Sequence, residues 1–414
     1  MNNAEQRARD AGLSVVDWDL ELDEKFRRQL PSASAGQAMR EYSRDKGMFY
    51  SSAARGFFVV TSHAMITEAL KNWELFSSVG GHFLYLRETP AHRPLPMQMD
   101  PPDHTKVRAL LAPFFTPQRV QGRFKEDAVA LTREIIDRVT TLGSCDAISE
   151  LAEPIATAIT LNNMGVSPSL ARDLTQAVRA RSNPSTVGQD KKTYEQGVFT
   201  IRDVFLEILA KRRVERADDI PSALLDARVD GKPLDDDTIL NLCCTGFSAG
   251  VHTSSTQMGF AFYYLASKPE LRRQIVENPG CIPTAIDELL RFESSAVMGG
   301  RTVTRSAMFH GVKLEAGDRV MLLTLAANRD PAIFENPDRI DLNRKPNPHL
   351  SLGGGPHRCI GSFQARMIMQ TLLEEWHRAI PDYWLGDMSN VTYEMAITGR
   401  MSAVPLQFAP RPIH

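Results

Sequence analysis

The chain of 414 residues lacks long apolar runs, and no segment approaches the roughly 20 apolar residues that cross a bilayer. Its first residues, MNNAEQRARDAGLSVVDWDLELDE, lack the apolar segment of a secretory signal peptide. Neither sign of charge dominates, because the formal net charge is −2, so composition gives no case for a nucleic-acid partner. We therefore expect a cytoplasmic protein with no membrane and no nucleic acid among its partners, and we expect it to be a monomer.

The sequence is also poor in cysteine and has no paired cysteine framework. Its five cysteines are Cys145, Cys281 and Cys359, which stand alone, and Cys243 and Cys244, which are adjacent. An odd and scattered set of this kind does not indicate structural disulfides, and it fits a reducing compartment. A single one of these thiols can still carry chemistry.

What is present is typical of an enzyme with a large core, since 43% of the residues are hydrophobic and 24% are charged. Apolar residues recur at helical intervals in most of the chain. The clearest helical segments are Pro117 to Leu142, Lys192 to Arg216, Asp235 to Ser267 and Ile282 to Phe292.

Strand signals concentrate in two places. Residues 47–62 read GMFYSSAARGFFVVTS, in which aromatic and β-branched runs flank a turn of small residues and predict a hairpin. A second strand-rich patch covers residues 301–325. We therefore predict a mainly α protein with a smaller β-rich lobe (α+β), in which residues 47–62, 301–325 and the C-terminal region form the lobe. Residues 1–414 are expected to form one domain.

The longest predicted helix is interrupted at its midpoint by GFSAGVHTSS, Gly246 to Ser255, which is poor helix-forming sequence with two glycines. A long helix weakened at its middle indicates that something approaches its backbone closely. The alternative is that the small residues mark a crossing of two helices.

The stretch SLGGGPHRCIG, Ser351 to Gly361, places one thiol between a glycine-rich loop and the start of a helix. A helix N-terminus stabilises thiolate through its dipole and through free N–H groups, here those of Ile360 and Gly361. Thiolate, donors and a flat seat without bulky side chains suit a haem iron with a sulfur ligand. A zinc site is weaker, because no CxxC or HxxxH lies nearby. A nucleophilic cysteine with His357 as its base and an inert buried cysteine remain open.

The loop LGGGPHRCIG closely resembles the haem-binding signature of cytochromes P450, Phe-Gly-x-Gly-x-His-x-Cys-x-Gly. Phenylalanine is usual where this chain has Leu352. The matching positions are Gly353, Gly355, His357, Cys359 and Gly361. The resemblance implies the cytochrome P450 fold. It also implies haem b between the long central helix and the cysteine-loop helix, with the Cys359 thiolate as axial ligand and O2 as co-substrate.

Further motifs extend the resemblance. ELLR, Glu288 to Arg291, matches the Glu-x-x-Arg motif, whose i, i+3 spacing puts both charges on one helix face. In the family this pair joins a later arginine, here Arg339, in a buried structural network.

The resemblance also implies partners for the two haem propionates. HTKVR, His104 to Arg108, is similar to the family's HxxxR element, and Arg301 matches the arginine of a strand. His357 is the fourth donor. Buried carboxylates need such partners, which makes the set chemically sensible.

On the central helix, AGVHTS resembles the family's oxygen-activation motif, (Ala/Gly)-Gly-x-(Asp/Glu)-Thr-(Thr/Ser). Ala249 and Gly250 would leave room for dioxygen, and the Thr253 hydroxyl would help to deliver protons. His252 stands where the family has an acid. Histidine titrates near neutrality and can relay protons, so it is a candidate for proton delivery. The alternative is a structural contact away from the oxygen site.

The family's pocket segments imply a mostly apolar cavity for a hydrophobic small organic substrate. The residues that fall on these segments are Phe83, Tyr85, Leu86, Phe247, Val251, Val297, Met298, Ile397 and Thr398.

The absence of an appended flavin or iron–sulfur module implies that a ferredoxin and a ferredoxin reductase supply electrons. An acidic ferredoxin would dock on positive charge at the cysteine side of the haem. The candidate residues are Arg108, Arg119, Lys345, Arg358 and Arg366. The resemblance implies a monooxygenase that inserts one oxygen atom from O2. Two alternatives remain open: haem-thiolate chemistry of another kind (peroxide-driven oxidation, coupling or dehydration), and a haem sensor or carrier.

Overall fold

A computed structural model describes residues 3–18, 39–81, 93–182, 191–297, 299–395 and 398–410. Helices dominate these ranges. They are α1 (Asn3–Asp10), α2 (His63–Lys71), α3 (Asp103–Leu111), α4 (Pro117–Thr140), α5 (Glu153–Asn163), α6 (Ala171–Ser182), α7 (Lys191–Val214), α8 (Ile220–Asp226), α9 (Asp236–Ser267), α10 (Pro269–Glu277), α11 (Ile282–Phe292), α12 (Thr324–Ala327) and α13 (Ser362–Ala379).

The strands are short and lie mostly at the two ends of the chain. They are β1 (Val15–Val16), β2 (Met48–Ser51), β3 (Phe57–Val60), β4 (Phe76–Ser77), β5 (Ser144–Asp146), β6 (Arg228–Val229), β7 (Lys232–Pro233), β8 (Gly299–Val303), β9 (Ala307–Phe309), β10 (Val312–Leu314), β11 (Arg319–Leu322), β12 (Tyr383–Leu385), β13 (Tyr393–Met395), β14 (Gly399–Met401) and β15 (Pro405–Phe408). The predicted class, mainly α with a smaller β-rich lobe, is confirmed.

The largest sheet joins the predicted hairpin to the second strand-rich patch. Its six strands run in the order β1–β2–β3–β11–β8–β4. Strands β2 and β3 pair antiparallel, with Met48 opposite Val60, and their residues are all buried. Strand β11 then pairs parallel with β3 and antiparallel with β8. Because both faces of the hairpin are covered, its apolar run is continuous rather than alternating.

Capping residues fix the starts of the helices that the sequence predicts. Thr116 accepts a hydrogen bond from Arg119 N at the start of α4, where Pro117 is the first helical residue. Asp235 accepts one from Thr238 N at the start of α9. Predicted and observed bounds agree within two residues for α4, α7 and α9, and those of α11 agree fully.

The glycines of α9 lie at a crossing with α5. A Cβ atom on Gly250 would lie 2.9 Å from Thr160 Oγ1, and one on Gly246 would lie 3.0 Å from Met164 Cε. Real Cβ atoms rarely come so close to a neighbour, so glycine permits the contact. The helix-crossing interpretation of GFSAGVHTSS is therefore confirmed. Gly250 makes room for a protein side chain, which differs from the role predicted for it.

Helix α13 holds the cysteine loop in place, because it begins directly after that loop. It packs against α4 and α11 and also contacts α9. Its inner face buries Met367, Ile368, Leu372 and Trp376. The loop is thus fixed at one end by a core helix.

Candidate functional site

The glycine-rich loop folds back on itself and presses against the end of α2. Cys359 N donates to the Leu352 carbonyl at 2.8 Å. Gly353 and Gly355 have φ angles of +67° and +60°, in the left-handed region that glycine tolerates. A Cβ atom on Gly355 would lie 2.0 Å from the Leu70 carbonyl oxygen. Glycine at 355 is therefore required by contact with the protein itself.

Gly361 differs from the other loop glycines. A Cβ atom built on it meets no atom within 4 Å, and its φ is −81°, so the position is open and unstrained. Its N–H donates a hydrogen bond to the Cys359 sulfur and lowers the pKa of that thiol. The Gly361 amide, which the sequence predicts to be a thiolate donor, therefore makes this hydrogen bond and lies beside open space.

The Cys359 thiol lies in a recess of the protein. It is exposed, whereas the other four cysteines are buried. Burial nevertheless raises its pKa, while the Gly361 amide and then Arg108, Arg366 and Arg358 lower it. Protein atoms therefore surround the sulfur on most sides and leave one side open. The amide donor and the nearby cations favour the thiolate form of Cys359, and burial opposes it. A bound metal ion would offset the cost of burial, so this thiol suits the role of a thiolate ligand.

Two of the predicted propionate partners are in contact. The rings of His104 and His357 are 4.1 Å apart between centroids. His104 Nδ1 is buried and has no hydrogen-bond partner among the residues that the structure describes. Burial, and then the Arg108 charge, lowers the pKa of His104. A buried ring nitrogen without a partner calls for a polar group from outside the protein.

The two predicted arginine partners are both desolvated. Arg108 donates to the Arg358 carbonyl, and burial lowers its pKa. Arg301, in β8, is 5% exposed and donates to the Gly300 carbonyl at 2.7 Å. Burial lowers the pKa of Arg301 to about 10, although the nearby charge of Asp100 raises it. Buried cations of this kind are stabilised by anions, so both side chains suit carboxylates.

The midpoint of α9 faces open space on one side. Ala249 is exposed and Thr253 half-buried, although most of the helix is buried. The Thr253 hydroxyl donates to the Ala249 carbonyl at 2.7 Å. These residues are four apart and share a helix face.

His252 lies on another side of α9 and is buried. Its Nε2 atom is 3.4 Å from Thr398 Oγ1, next to strand β14. Burial, and then the charges of Arg400 and Arg179, lowers the pKa of His252 to about 4. The ring is therefore neutral near pH 7. This contact corresponds to the structural alternative for His252.

The Glu-x-x-Arg pair is fully buried and forms the predicted network with a different arginine. Arg291 donates to both carboxylate oxygens of Glu288, each at 2.8 Å. The second guanidinium on Glu288 belongs to Arg344, at 3.0 Å. The prediction of Arg339 is wrong, because its backbone carbonyl turns inward to accept from Arg291 and its side chain is exposed. No sequence signal separated the two arginines, which lie five residues apart in one polar loop.

The family model for cytochrome P450 matches residues 174–279 and 282–376. The chain is 30% identical to steroid C26-monooxygenase of Mycolicibacterium smegmatis over 365 residues, which cover 86% of this chain and 88% of that one. It is 32% identical to mycinamicin IV hydroxylase/epoxidase of Micromonospora griseorubida, covering 70% and 73%. The crystal structure of CYP101J2 superposes with a TM-score of 0.84 at 25% identity, covering 100% of both chains.

The chain belongs to the cytochrome P450 family. Its enzyme class is accordingly that of the P450 monooxygenases, and family membership implies haem with a cysteine thiolate ligand. The residues present fit that group. The recess at Cys359 holds an exposed thiol with an amide donor, and the predicted propionate partners include an orphan His104 nitrogen and two desolvated arginines. Within the described ranges, no helix of this P450 is both long and apolar enough to cross a membrane.

Several predicted pocket residues pack into the core instead of lining the recess of this P450. Phe247, Val251 and Val297 are at most 1% exposed. Phe247 is two residues before the exposed Ala249, so it lies about 200° around α9 from it. On that side of the helix it packs against Phe205 of α7. The assignment of these three residues to a substrate pocket stays a prediction. Thr398 is half-buried and contacts His252. The predictions for Phe83, Tyr85, Leu86, Met298 and Ile397 lie outside the described residues.

The predicted docking cations differ in whether a carboxylate of the chain pairs with them. Arg366 pairs with Asp287 at 2.8 Å, and Arg119 pairs with Asp218 at 2.7 Å. Arg358 and Lys345 are exposed, and neither has a carboxylate within ion-pair distance in the part of the chain that the structure describes. Arg358 follows His357 in the cysteine loop, so the free charge lies beside the thiol.

Proposed function

We propose that this P450 is a monooxygenase that binds haem b through Cys359 and inserts one oxygen atom from O2 into a hydrophobic small organic substrate. The observation that carries the proposal is the Cys359 thiol, exposed in a protein-walled recess and held by the Gly361 amide. The haem, when bound, supplies the activation of dioxygen at its iron. The remaining chemistry belongs to side chains of the chain itself.

The cysteine loop fixes the sulfur before any ligand arrives. The Leu352 carbonyl, 2.8 Å from Cys359 N, and the Gly361 amide hold Cys359 from both sides. Arg108 and Arg358 add positive potential that favours the thiolate. A preorganised ligand of this kind avoids the cost of ordering a loop when the cofactor binds.

His104, Arg108, Arg301 and His357 would hold the two propionates of the haem. Two carboxylates would give the buried His104 nitrogen a partner and would neutralise desolvated guanidinium groups. The four residues come from α3, β8 and the cysteine loop, so their convergence would bind the cofactor and tie these elements together.

Ala249 and Thr253 would form the wall opposite the thiol. The Ala249 methyl leaves the face of α9 open, and the Thr253 hydroxyl is oriented by the Ala249 carbonyl. In that arrangement the hydroxyl oxygen can accept a hydrogen bond, and rotation about the Cβ–Oγ1 bond would free its proton for donation. We assign His252 a positioning role, because its neutral ring contacts Thr398.

A hydrophobic substrate agrees with the relatives, whose names specify steroid oxidation and macrolide-type hydroxylation or epoxidation. Electrons would come from a ferredoxin and its reductase. The exposed Arg358 and Lys345 support an acidic donor on the cysteine side.

One observation favours a second candidate, peroxide-driven chemistry. The residue at the acid position of the motif is a buried, neutral imidazole. Without a charged proton donor there, the chain would suit an oxidant that arrives with its own protons.

The first test is spectroscopic. The purified protein, reduced with dithionite under carbon monoxide, should show the long-wavelength Soret band of a thiolate-bound haem, and Cys359→His should bind haem without that band. A library of apolar compounds is then screened for the shift of ferric iron from low to high spin. NAD(P)H consumption that yields oxygenated product, with donor proteins and a hit compound, supports monooxygenation. Turnover with peroxide alone supports the second candidate, and absence of haem would sink both.

A further inference from the structure

The first turn of α13 exposes a large apolar side chain beside the cysteine loop. Phe363 is 47% exposed, four residues after Cys359, while its neighbours Ser362 and Gln364 are buried. A single exposed aromatic residue is ordinary on a protein surface. Its surroundings make this one informative.

Helix α13 contacts the 3-10 turn Ala112–Phe115, which directly follows α3. Because Arg108 of α3 donates to the Arg358 carbonyl, this turn lies beside the cysteine loop and the start of α13, where Phe363 is exposed. In that turn Ala112 and Pro113 are exposed, and Phe114 is half-buried. Apolar groups from two elements therefore border the cysteine loop. We call Ala112, Pro113, Phe114, Arg358 and Phe363 the cysteine face.

Arginines surround the apolar groups of the cysteine face. Arg358 is exposed in the loop itself. The Arg119 guanidinium lies 5.1 Å from the centre of the Phe114 ring. Phenylalanine and arginine are enriched at the centres of protein interfaces, and positive charge around an apolar centre suits an acidic partner.

A carboxylate opposes the charge of Arg119. Asp218, just before α8, pairs with Arg119 at 2.7 Å and also with Arg123. It is exposed, and the two guanidinium groups lower its pKa. A carboxylate that already binds two arginines competes with the acidic groups of any partner that approaches them.

We propose that Phe363 makes an apolar contact to the acidic electron donor expected on the cysteine face, and that Asp218 weakens the docking of this donor by holding Arg119 and Arg123. The inference rests on the proposed monooxygenase function, which needs an external electron donor. It adds a specific contact residue and an internal competitor. A competitor of this kind favours rapid release of the donor, which must leave between two electron deliveries.

The experiment measures binding of a recombinant acidic [2Fe–2S] ferredoxin to the immobilised holoenzyme by surface plasmon resonance, without substrate or turnover. Phe363→Ser should weaken binding about fivefold or more, as expected for a central interface residue. The matched control is Trp384→Ser, because Trp384 is 51% exposed and follows α13. Phe363 is in the first turn of α13, whereas Trp384 follows the other end of this helix, which has 18 residues and is roughly 27 Å long. This control should bind within about twofold of wild type.

The charge arm uses Asp218→Asn, which should bind the ferredoxin about threefold more tightly at low salt, with the gain lost at high salt. Its control is Asp382→Asn, since Asp382 pairs with Arg272 beyond the far end of α13. The control should behave as wild type. All variants must keep the carbon monoxide spectrum of the parent, which shows that the cysteine site is intact.

Equal binding by the Phe363 and Trp384 variants would overturn the apolar contact. An Asp218 variant that binds no more tightly than the Asp382 control would overturn the competitor role. These failures differ from failure of the proposed function. A holoenzyme that shows both binding effects but oxygenates no compound of the library would count against monooxygenation and keep the docking inference.

Discussion

The imidazole of His252 in α9 contacts the hydroxyl of Thr398 at 3.4 Å, and this links the central helix to the C-terminal hairpin β13–β14. A second link runs through Glu293, which accepts from Tyr264 of α9 at 2.7 Å and from Tyr393 of β13 at 3.0 Å. Hairpin β13–β14 is therefore held against the helix that carries Thr253.

We expect His252→Ala to loosen the contact between α9 and Thr398 and to weaken substrate binding several-fold, as measured by spin-state titration, with haem content unchanged. Because the pKa of His252 is about 4, product formed per NAD(P)H should keep its wild-type dependence on pH between about pH 6 and 8. A pH dependence that disappears in the variant would instead assign proton delivery to the imidazole.

Thr253→Ala should keep haem and substrate affinity but lower the product formed per NAD(P)H by about tenfold, because the wall loses its proton-donating hydroxyl. Peroxide release should rise in step. Thr253→Ser keeps a hydroxyl and should stay close to wild type. Ser254→Ala, one position along the helix, serves as the control. Equal coupling in the Thr253→Ala variant and the wild type would remove the hydroxyl from the mechanism.

Gly355→Ala should destabilise the cysteine loop by a few kcal/mol and lower haem retention, since its methyl would lie 2.0 Å from the Leu70 carbonyl at a positive φ. Gly361→Ala adds the same methyl in open space, so the apoprotein should unfold at the wild-type urea concentration. If haem lies against Gly361, this variant should still bind haem more weakly. Comparable urea midpoints for both variants would contradict the observed loop packing.

Arg344→Ala should destabilise the protein by roughly 3 kcal/mol, because it leaves the buried Glu288 carboxylate with one guanidinium fewer. Arg339→Ala should change stability by less than about 0.5 kcal/mol, since only its carbonyl takes part in the network. Urea unfolding of the two variants compares them directly. The reverse order would restore the arginine that the sequence motif indicated.

His377 should make folding sensitive to acid. It is buried in α13, where its Nδ1 donates to the Leu373 carbonyl at 2.7 Å and its Nε2 accepts from the Tyr383 hydroxyl at 3.0 Å. Burial lowers its pKa from 6.5 to about 4. Between these values the unfolded chain binds a proton that the folded chain does not, so stability falls as pH falls through this window. One such group costs about 2 kcal/mol between pH 7 and pH 5. His377→Gln should remove that share of the loss, while the exposed His310→Gln should not.

The fold could be predicted wherever the signal is local. Helix α11 and the hairpin β2–β3 follow from periodicity and turn residues, and the cysteine loop follows from its glycines. Side-chain direction could not be predicted in the same way. Helix α9 is apolar on nearly every side, so its sequence does not say that Phe247 packs on α7 or that Gly250 meets Thr160. Those facts depend on which elements surround the helix.

The same limit explains the site residues that were assigned wrongly or missed. Arg339 and Arg344 lie in one irregular loop. The Arg344 side chain reaches Glu288, whereas only the backbone carbonyl of Arg339 joins the network, and no residue pattern encodes this difference. The residues around Phe363 show an ordinary helical pattern, and only the exposure of its side chain in the structure distinguishes it. Cys359, by contrast, needed a thiol, glycines and a helix start in direct succession, and all of these can be read along the chain.

The parallel pairing of β3 with β11 also constrains the order of events during synthesis. Arg319 at the start of β11 bonds the Ala54 carbonyl, 265 residues earlier. At roughly 5–20 residues per second, the hairpin β2–β3 leaves the ribosome tens of seconds before the strand that covers its open edge. During that interval one edge of the apolar strand β3 has no partner. An unpaired edge can bind other chains, so aggregation competes with folding until β11 is synthesised.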